Sequence, residues 1–235
     1  MAQPAQLIIE TLARHRAQID RDPDQRERLR ALQRFQVERL RRTYADCASQ
    51  ARYRGALEFF VTDLYGPHDR SRRDQDLHKV LGQWARLLPE RALRAVCRAL
   101  ELELLTEALD RAVLDELQGS APDFDTYPAA YRSADRYHDR ARQIDLILAA
   151  GRDLDSLIDI RALGTALRMA RVPARVIGVM ELHQFVERGY RAFKQMHGAD
   201  ALLRVIEHRE TDIMRRLIQG SADPFRLSTR ATAPL

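Results

Sequence analysis

Residues 59–74 hold the densest group of side chains in the sequence that could bind a ligand. Tyrosine, histidine, carboxylate and guanidinium groups follow one another there, a combination that could hold an anionic or zwitterionic ligand. The predicted binding residues are Tyr65, His68, Asp69, Arg72 and Arg73. The alternative is a corner between two helices that ion pairs hold in place. Arg72 and Arg73 need a carboxylate or an anion nearby in either case, because the helix dipole disfavours cations in a first turn.

A second set of polar residues falls on apolar helix faces and could bind a metal. These residues are Glu103, Glu107, His183 and Glu210. Buried carboxylates and histidines from several helices are the ligands of carboxylate-bridged di-metal bundles, but those sites use paired Glu-x-x-His units, which this chain lacks. Ion pairs between glutamate and arginine inside a bundle are the alternative. His183 or His197 could also be an axial haem ligand, although an isolated histidine on an apolar face is typical of a core residue. No cofactor is therefore expected.

The third candidate is the basic stretch 21–54, which contains ten arginines and five acidic residues. Such a stretch could follow the phosphates of a nucleic acid. It has few aromatic residues, however, and no recognisable nucleic-acid-binding motif. Acidic residues lie between the arginines, as on a helix that faces solvent or a protein partner.

These side chains must be positioned by helices, because the composition favours an all-α fold. Good helix formers dominate, and the 235 residues include only 10 glycines and 9 prolines. The sequence predicts a multi-helix bundle of about eight helices. We expect a single domain over 1–219, with possible sub-bundles at 1–118 and 128–219, and a frayed or disordered tail at 220–235.

Two long central helices are predicted, at 24–64 and 90–118, because apolar residues recur there every three or four positions. Gly66 and Pro67 should end the first of them, with Gly66 in a left-handed conformation. Pro173 should separate two of the later helices.

The two cysteines, Cys47 and Cys97, form neither a CxxC motif nor a metal-binding spacing with histidine. This pattern favours a reducing compartment. No secretory signal is recognisable, and no apolar run approaches the roughly 20 residues of a membrane span. The sequence therefore predicts a cytoplasmic protein that does not act at a membrane.

The segment 59–74 resembles the signature of the FFLEELY motif proteins, a bacterial family. The matching residues are Phe59, Phe60, Leu64, Tyr65, Gly66, Pro67, Asp69, Arg73 and Asp74. The segment departs from the signature at Val61, Thr62 and Asp63, and Arg70 replaces an aromatic residue. The resemblance implies a single helical domain and identifies no catalytic residues.

No nucleophile elbow, phosphate-binding loop or dinucleotide fingerprint is present in the sequence. We therefore expect a non-enzymatic protein that binds a protein partner or assembles with itself. The first alternative is a metal- or cofactor-binding helical bundle, or an enzyme, that uses the inward-facing glutamates and histidine. The second is binding of anions or nucleic acid by the stretch 21–54.

Overall fold

The computed structural model describes residues 2–67, 70–84, 88–160 and 162–226, and only the backbone of residues 2–4, 71 and 84. Within these residues the protein consists of eleven α-helices and one π-helical segment, without strands. The all-α prediction is confirmed, but the predicted number of about eight helices is too low. The elements are α1 (Ala2–Asp20), α2 (Pro23–Thr43), α3 (Ala45–Ser49), α4 (Ala51–Glu58), the π segment (Phe59–Tyr65), α5 (Ser71–Trp84), α6 (Glu90–Leu117), α7 (Thr126–Ser133), α8 (Tyr137–Ile158), α9 (Leu163–Val176), α10 (Met180–Met196) and α11 (Asp200–Ile218).

The stretch 24–64, predicted as one long helix, is divided into α2, α3, α4 and the π segment. A distant residue stabilises the first break: Arg209 of α11 donates hydrogen bonds to the Thr43 carbonyl at 2.6 Å and to both carboxylate oxygens of Asp46 at 2.8 and 2.6 Å. The prediction of one continuous helix is therefore wrong. It failed because local periodicity carries no information about a contact with a distant residue. The second long helix, predicted at 90–118, is confirmed as α6.

Two helix ends also differ from the predicted ones. Gly66 has φ −49° and ψ 157°, an extended rather than a left-handed conformation, because the ring of a following proline restricts the residue before it. Pro173 lies inside α9 and does not separate two helices. α9 ends just before Gly178, whose φ of 71° lets the N–H of Val179 reach the Ala174 carbonyl at 2.9 Å. Glycine is suited to this left-handed position because it has no Cβ.

Three clusters of buried side chains fill the interior. The first joins α4, α8, α10 and α11, the second joins α2, α6, α7 and α11, and the third joins α1, α5 and α6. α6 contributes to two of them, through Val113 and Leu117 in one and Leu100 in the other. It is therefore the central helix, and acidic residues on its inner side are held among packed neighbours.

The π segment lies against α10 through aromatic contacts. The ring of Phe59 is 5.3 Å from that of Phe185, and the ring of Phe60 is 5.6 Å from that of Phe193. Gly189 allows this approach, because a Cβ on it would lie 2.9 Å from Cζ of Phe59. The beginning of the π segment is thus anchored in the core, and its last residue, Tyr65, reaches α6.

The chain after α11 returns to the second core cluster. The ring of Phe225 lies 5.4 Å from that of Phe124 and 6.5 Å from that of Phe35. The first part of the tail predicted at 220–235 therefore packs against the body of the protein. Residues 227–235 lie outside the described residues.

Candidate functional site

Six charged side chains meet between α1, α5 and α6, next to the end of the π segment. We call them the ionic cluster: Arg16, Arg70, Arg73, Asp74, Glu103 and Glu107. Each side chain is 20% exposed or less. Three positive and three negative groups balance one another, which is what the burial of so many charges requires.

Glu103 is the centre of the ionic cluster because all three arginines donate to it. Arg16 reaches its carboxylate at 2.7 Å, Arg70 at 2.9 Å, and Arg73 at 2.9 and 3.1 Å. Burial alone would raise the pKa of Glu103, but the nearby charges of Arg73, Arg70 and Arg16 lower it to about 2. The carboxylate is therefore ionised throughout the physiological range and acts as a fixed anion.

Glu107, one helical turn further along α6, is held more loosely. It accepts a hydrogen bond from Nε of Arg16 at 2.7 Å. Its Oε2 is buried and has no hydrogen-bond partner among the described residues. Burial raises the pKa of Glu107, and the charge of Arg16 only partly offsets that effect. The two glutamates thus share one arginine but differ in how well the fold supports their charge.

The π segment ends on a third acid of the same helix face. Tyr65 donates its hydroxyl to Oδ2 of Asp110 at 3.0 Å. Asp110 is 2% exposed, and burial raises its pKa to about 6, against the opposing influence of Arg140 and of the Tyr65 hydrogen bond. Arg70 fastens the same corner by donating to the carbonyls of Tyr65 at 2.8 Å and Gly66 at 3.1 Å. Tyr65 is therefore an anchor between the π segment and α6.

The second notable feature is on the surface. Met169, Val172 and Val176 of α9 are 73%, 72% and 80% exposed. Their spacing of three and four residues places them on one side of the helix, opposite the buried Ala174. Three exposed arginines lie beside them, and α9 has no acidic residue. We call these six residues the α9 face: Arg168, Met169, Arg171, Val172, Arg175 and Val176.

A family model for a domain of unknown function, DUF8198, matches residues 15–224. The chain belongs to this DUF8198 family. No curated protein and no solved structure matches the sequence. The DUF8198 match includes the ionic cluster, the π segment and the α9 face, so all three belong to the family domain. Membership of the FFLEELY motif proteins stays a prediction.

Of the five residues that were predicted to bind a ligand, the structure describes three, and it places them apart. Tyr65 lies in the interior against Asp110, and Arg73 belongs to the ionic cluster, whereas Arg72 is exposed. His68 and Asp69 lie outside the described residues. The expectation that Arg73 needs a carboxylate is confirmed, since it bonds to Asp74 and Glu103.

The four residues suggested as metal ligands lie in different places. Glu103 and Glu107 bind arginines in the ionic cluster, as described. Glu210 accepts two hydrogen bonds from Arg39, at 2.6 and 2.8 Å, and one from Tyr44 at 2.8 Å. His183 is buried in α10 and is 7% exposed. In the described part of the chain, no three His, Cys, Asp or Glu side chains are grouped so that they could hold a metal ion.

Sequence reasoning did not identify Arg16, Arg70 or Asp110 as members of this network. One signal was present: Glu103, Glu107 and Asp110 are spaced by four and three residues, so they lie on one side of α6. An acidic stripe on a helix that is otherwise apolar requires cations from neighbouring helices. The sequence alone could not say which of the 37 arginines would supply them.

The arginines of the basic stretch 21–54 are used within the protein to a large extent. Arg34 bonds to Glu27, Arg41 to Glu58 and Arg42 to Glu38. Arg39 bonds to Glu210, as described, and Arg52 donates to the Met196 carbonyl at 2.5 Å. These contacts give many of the arginines a structural role, and binding of nucleic acid by this stretch stays a prediction.

Proposed function

We propose that this DUF8198 protein is a non-enzymatic interaction module that binds a protein partner through the α9 face. The observation that carries the proposal is the exposure of Met169, Val172 and Val176, each more than two-thirds accessible, side by side on one helix. Isolated exposed apolar residues are common on protein surfaces, but a continuous stripe of them marks an interaction surface.

The size of the stripe indicates what the partner must provide. Burying one Val or Met side chain fully contributes about 1.5–3 kcal/mol. Because each of the three is about three-quarters exposed, together they contribute roughly 3–7 kcal/mol, which is comparable to the cost of association alone. Arg168, Arg171 and Arg175 must then add ion pairs, and the partner must carry acidic groups next to its apolar surface.

The ionic cluster supports the same proposal from inside the protein. Its carboxylates are bound to arginines, and its charges compensate one another. Such a network holds α1, α5 and α6 in a fixed arrangement and supports a rigid scaffold behind the surface.

Quantitative affinity purification from cells of the source organism tests the proposal. The bait is the full chain, compared with the variants Val172→Asp and Leu7→Asp. Leu7 of α1 is the matched control, because it is an exposed apolar residue, 61% accessible, on a different helix. We expect V172D to lose specific partners about tenfold or more, and L7D to keep them. An unchanged partner profile for V172D would refute the proposed function.

A further inference from the structure

We infer that the element that binds the α9 face is an amphipathic α-helix with acidic residues along one flank, lying alongside α9 as in a coiled coil. This inference rests on the proposed function and names the class of partner. It follows from the spacing of apolar residues, from the placement of the arginines, and from what the alternatives would require.

The spacing of the exposed residues matches a heptad repeat. Thr165, Met169, Val172 and Val176 follow one another at intervals of four, three and four residues, the alternation of the core positions d and a. Thr165 is exposed as well. The stripe therefore covers most of the 14 residues of α9, a length of about 21 Å. A second helix of the same length could pack along it.

Two of the three arginines occupy the positions that select partners in coiled coils. Arg168 precedes Met169, and Arg175 precedes Val176, so both take the position g beside the core. Arg171, at position c, lies on the same flank between them but further from the core. The opposite flank carries the small apolar residues Ala166 and Pro173 at position e. One flank of α9 is thus basic from Arg168 to Arg175, and a partner helix with Glu or Asp facing that flank would form ion pairs with it.

A second copy of the protein is a poor partner for this surface. Antiparallel helices bring position g of one helix next to position g of the other, which would place Arg168 near Arg175 of the copy. Parallel helices bring g next to e, which would place the arginines beside Ala166 or Pro173. Neither arrangement supplies a carboxylate, so self-association through α9 gains no ion pairs.

A lipid surface fits the α9 face less well. No helix in the described part of the chain has the length and apolar character to cross a bilayer, so a bilayer could be met only at its surface. Helices that lie on anionic bilayers carry Trp, Phe or Leu on the apolar face and cations on the polar face. The α9 face has Met169, Val172 and Val176 without an aromatic residue, and its cations lie on one flank only. The acidic helix explains this asymmetry, whereas a flat anionic surface would not.

The direct test measures binding of synthetic helices to the full-length protein by fluorescence anisotropy. The probe is a stapled peptide with Leu at positions a and d and Glu at e and g. Its controls are the same peptide with Lys in place of Glu, a version interrupted by proline, and phosphatidylserine vesicles. We expect the Glu peptide to bind about tenfold or more tightly than the Lys peptide, with an affinity that falls as salt increases.

Two variants of the protein complete the test. The triple variant R168E/R171E/R175E should reverse the preference and bind the Lys peptide, and V172D should abolish binding of both peptides. All four side chains are exposed, so these variants should fold, which circular dichroism will verify. Equal binding of the Glu and Lys peptides, retained binding of the proline-interrupted peptide, binding to vesicles alone, or no binding would each refute the inference.

The outcome is distinguishable from failure of the proposed function. If V172D loses its cellular partners but the Glu peptide does not bind, the partner is a protein of another shape, and only the present inference fails. If V172D retains its cellular partners, the proposed function itself fails.

Discussion

The sharpest test of the interior compares two glutamates that lie one turn apart on α6. Glu103→Gln removes a charge to which three arginines donate. A pKa of about 2, against an ordinary value of 4.5, corresponds to about 3 kcal/mol of preference for the ionised form. The side chain is 15% exposed, so solvent screening reduces this value little. We expect E103Q to lower the free energy of unfolding by about 3 kcal/mol at neutral pH.

Glu107→Gln should not lower the free energy of unfolding, although it changes the same atoms. The pKa of Glu107 is raised by burial, so its ionised form is disfavoured in the folded protein. Glutamine keeps an oxygen that can accept the Arg16 hydrogen bond. We expect E107Q to be as stable as the wild type at neutral pH, or slightly more stable.

Urea unfolding followed by circular dichroism measures both variants, since urea does not screen charges as guanidinium does. Glu101→Gln is the control, because Glu101 is exposed on the same helix. The pH dependence supplies a second readout. The stabilisation by Glu103 is complete above pH 4.5 and is lost as the pH falls towards 2, so the E103Q deficit should shrink in acid. The reasoning is refuted if E107Q is destabilised as much as E103Q.

Three further predictions concern other parts of the structure. Burial raises the pKa of Asp110 from 3.8 to about 6. The stability that protonated Asp110 contributes is therefore present below pH 4 and falls by about 3 kcal/mol as the pH rises through 6. Asp110→Asn should flatten this pH dependence in urea unfolding at several pH values, and an unchanged profile would contradict the prediction. Gly189→Ala should lower stability by about 1–3 kcal/mol despite the better helix propensity of alanine, because the new Cβ would lie 2.9 Å from Cζ of Phe59; a thermal melt at or above the wild-type midpoint would disprove the close contact. Val172→Asp should change stability by no more than about 0.5 kcal/mol, since Val172 is 72% exposed. A large decrease in the free energy of unfolding in urea would mean that Val172 is packed against a neighbour.

The helical class and the central helix α6 could be predicted because they depend on composition and on local periodicity. The divisions within 24–64 could not, because tertiary contacts determine them. The break after Thr43 depends on Arg209, more than 160 residues away in sequence. Phe59, at the start of the π segment, likewise packs against Gly189 of α10, a contact that local patterns do not encode. Local patterns report which residues favour a helix, but not where a distant side chain competes for its backbone groups.

The candidate site was predicted only in part, because the sequence shows that a charge needs a partner but not which residue supplies it. The requirement of Arg73 for a carboxylate followed from the helix dipole alone. The identity of that carboxylate, Glu103, depends on the way α5 crosses α6, which spacing along the chain does not encode. The α9 face was missed because Pro173 was expected to separate two helices, and such a boundary would divide the stripe of Met169, Val172 and Val176.

The abundance of arginine in this chain has an explanation in the interior. Arg209 is 1% exposed, yet it bonds to the Thr43 carbonyl and to both oxygens of Asp46 at once. Arg73 similarly reaches Asp74 and Glu103 through one guanidinium group. A planar fork with five donors can bind a carboxylate through two parallel hydrogen bonds and still serve a second acceptor, whereas lysine presents three donors from a single point. Arginines of this kind hold helices to one another. The arginines relevant to binding are therefore the exposed ones on a helix that carries no acidic residues. Along α9, three exposed arginines on a helix without acidic residues meet that condition, which directs the search for a partner to α9.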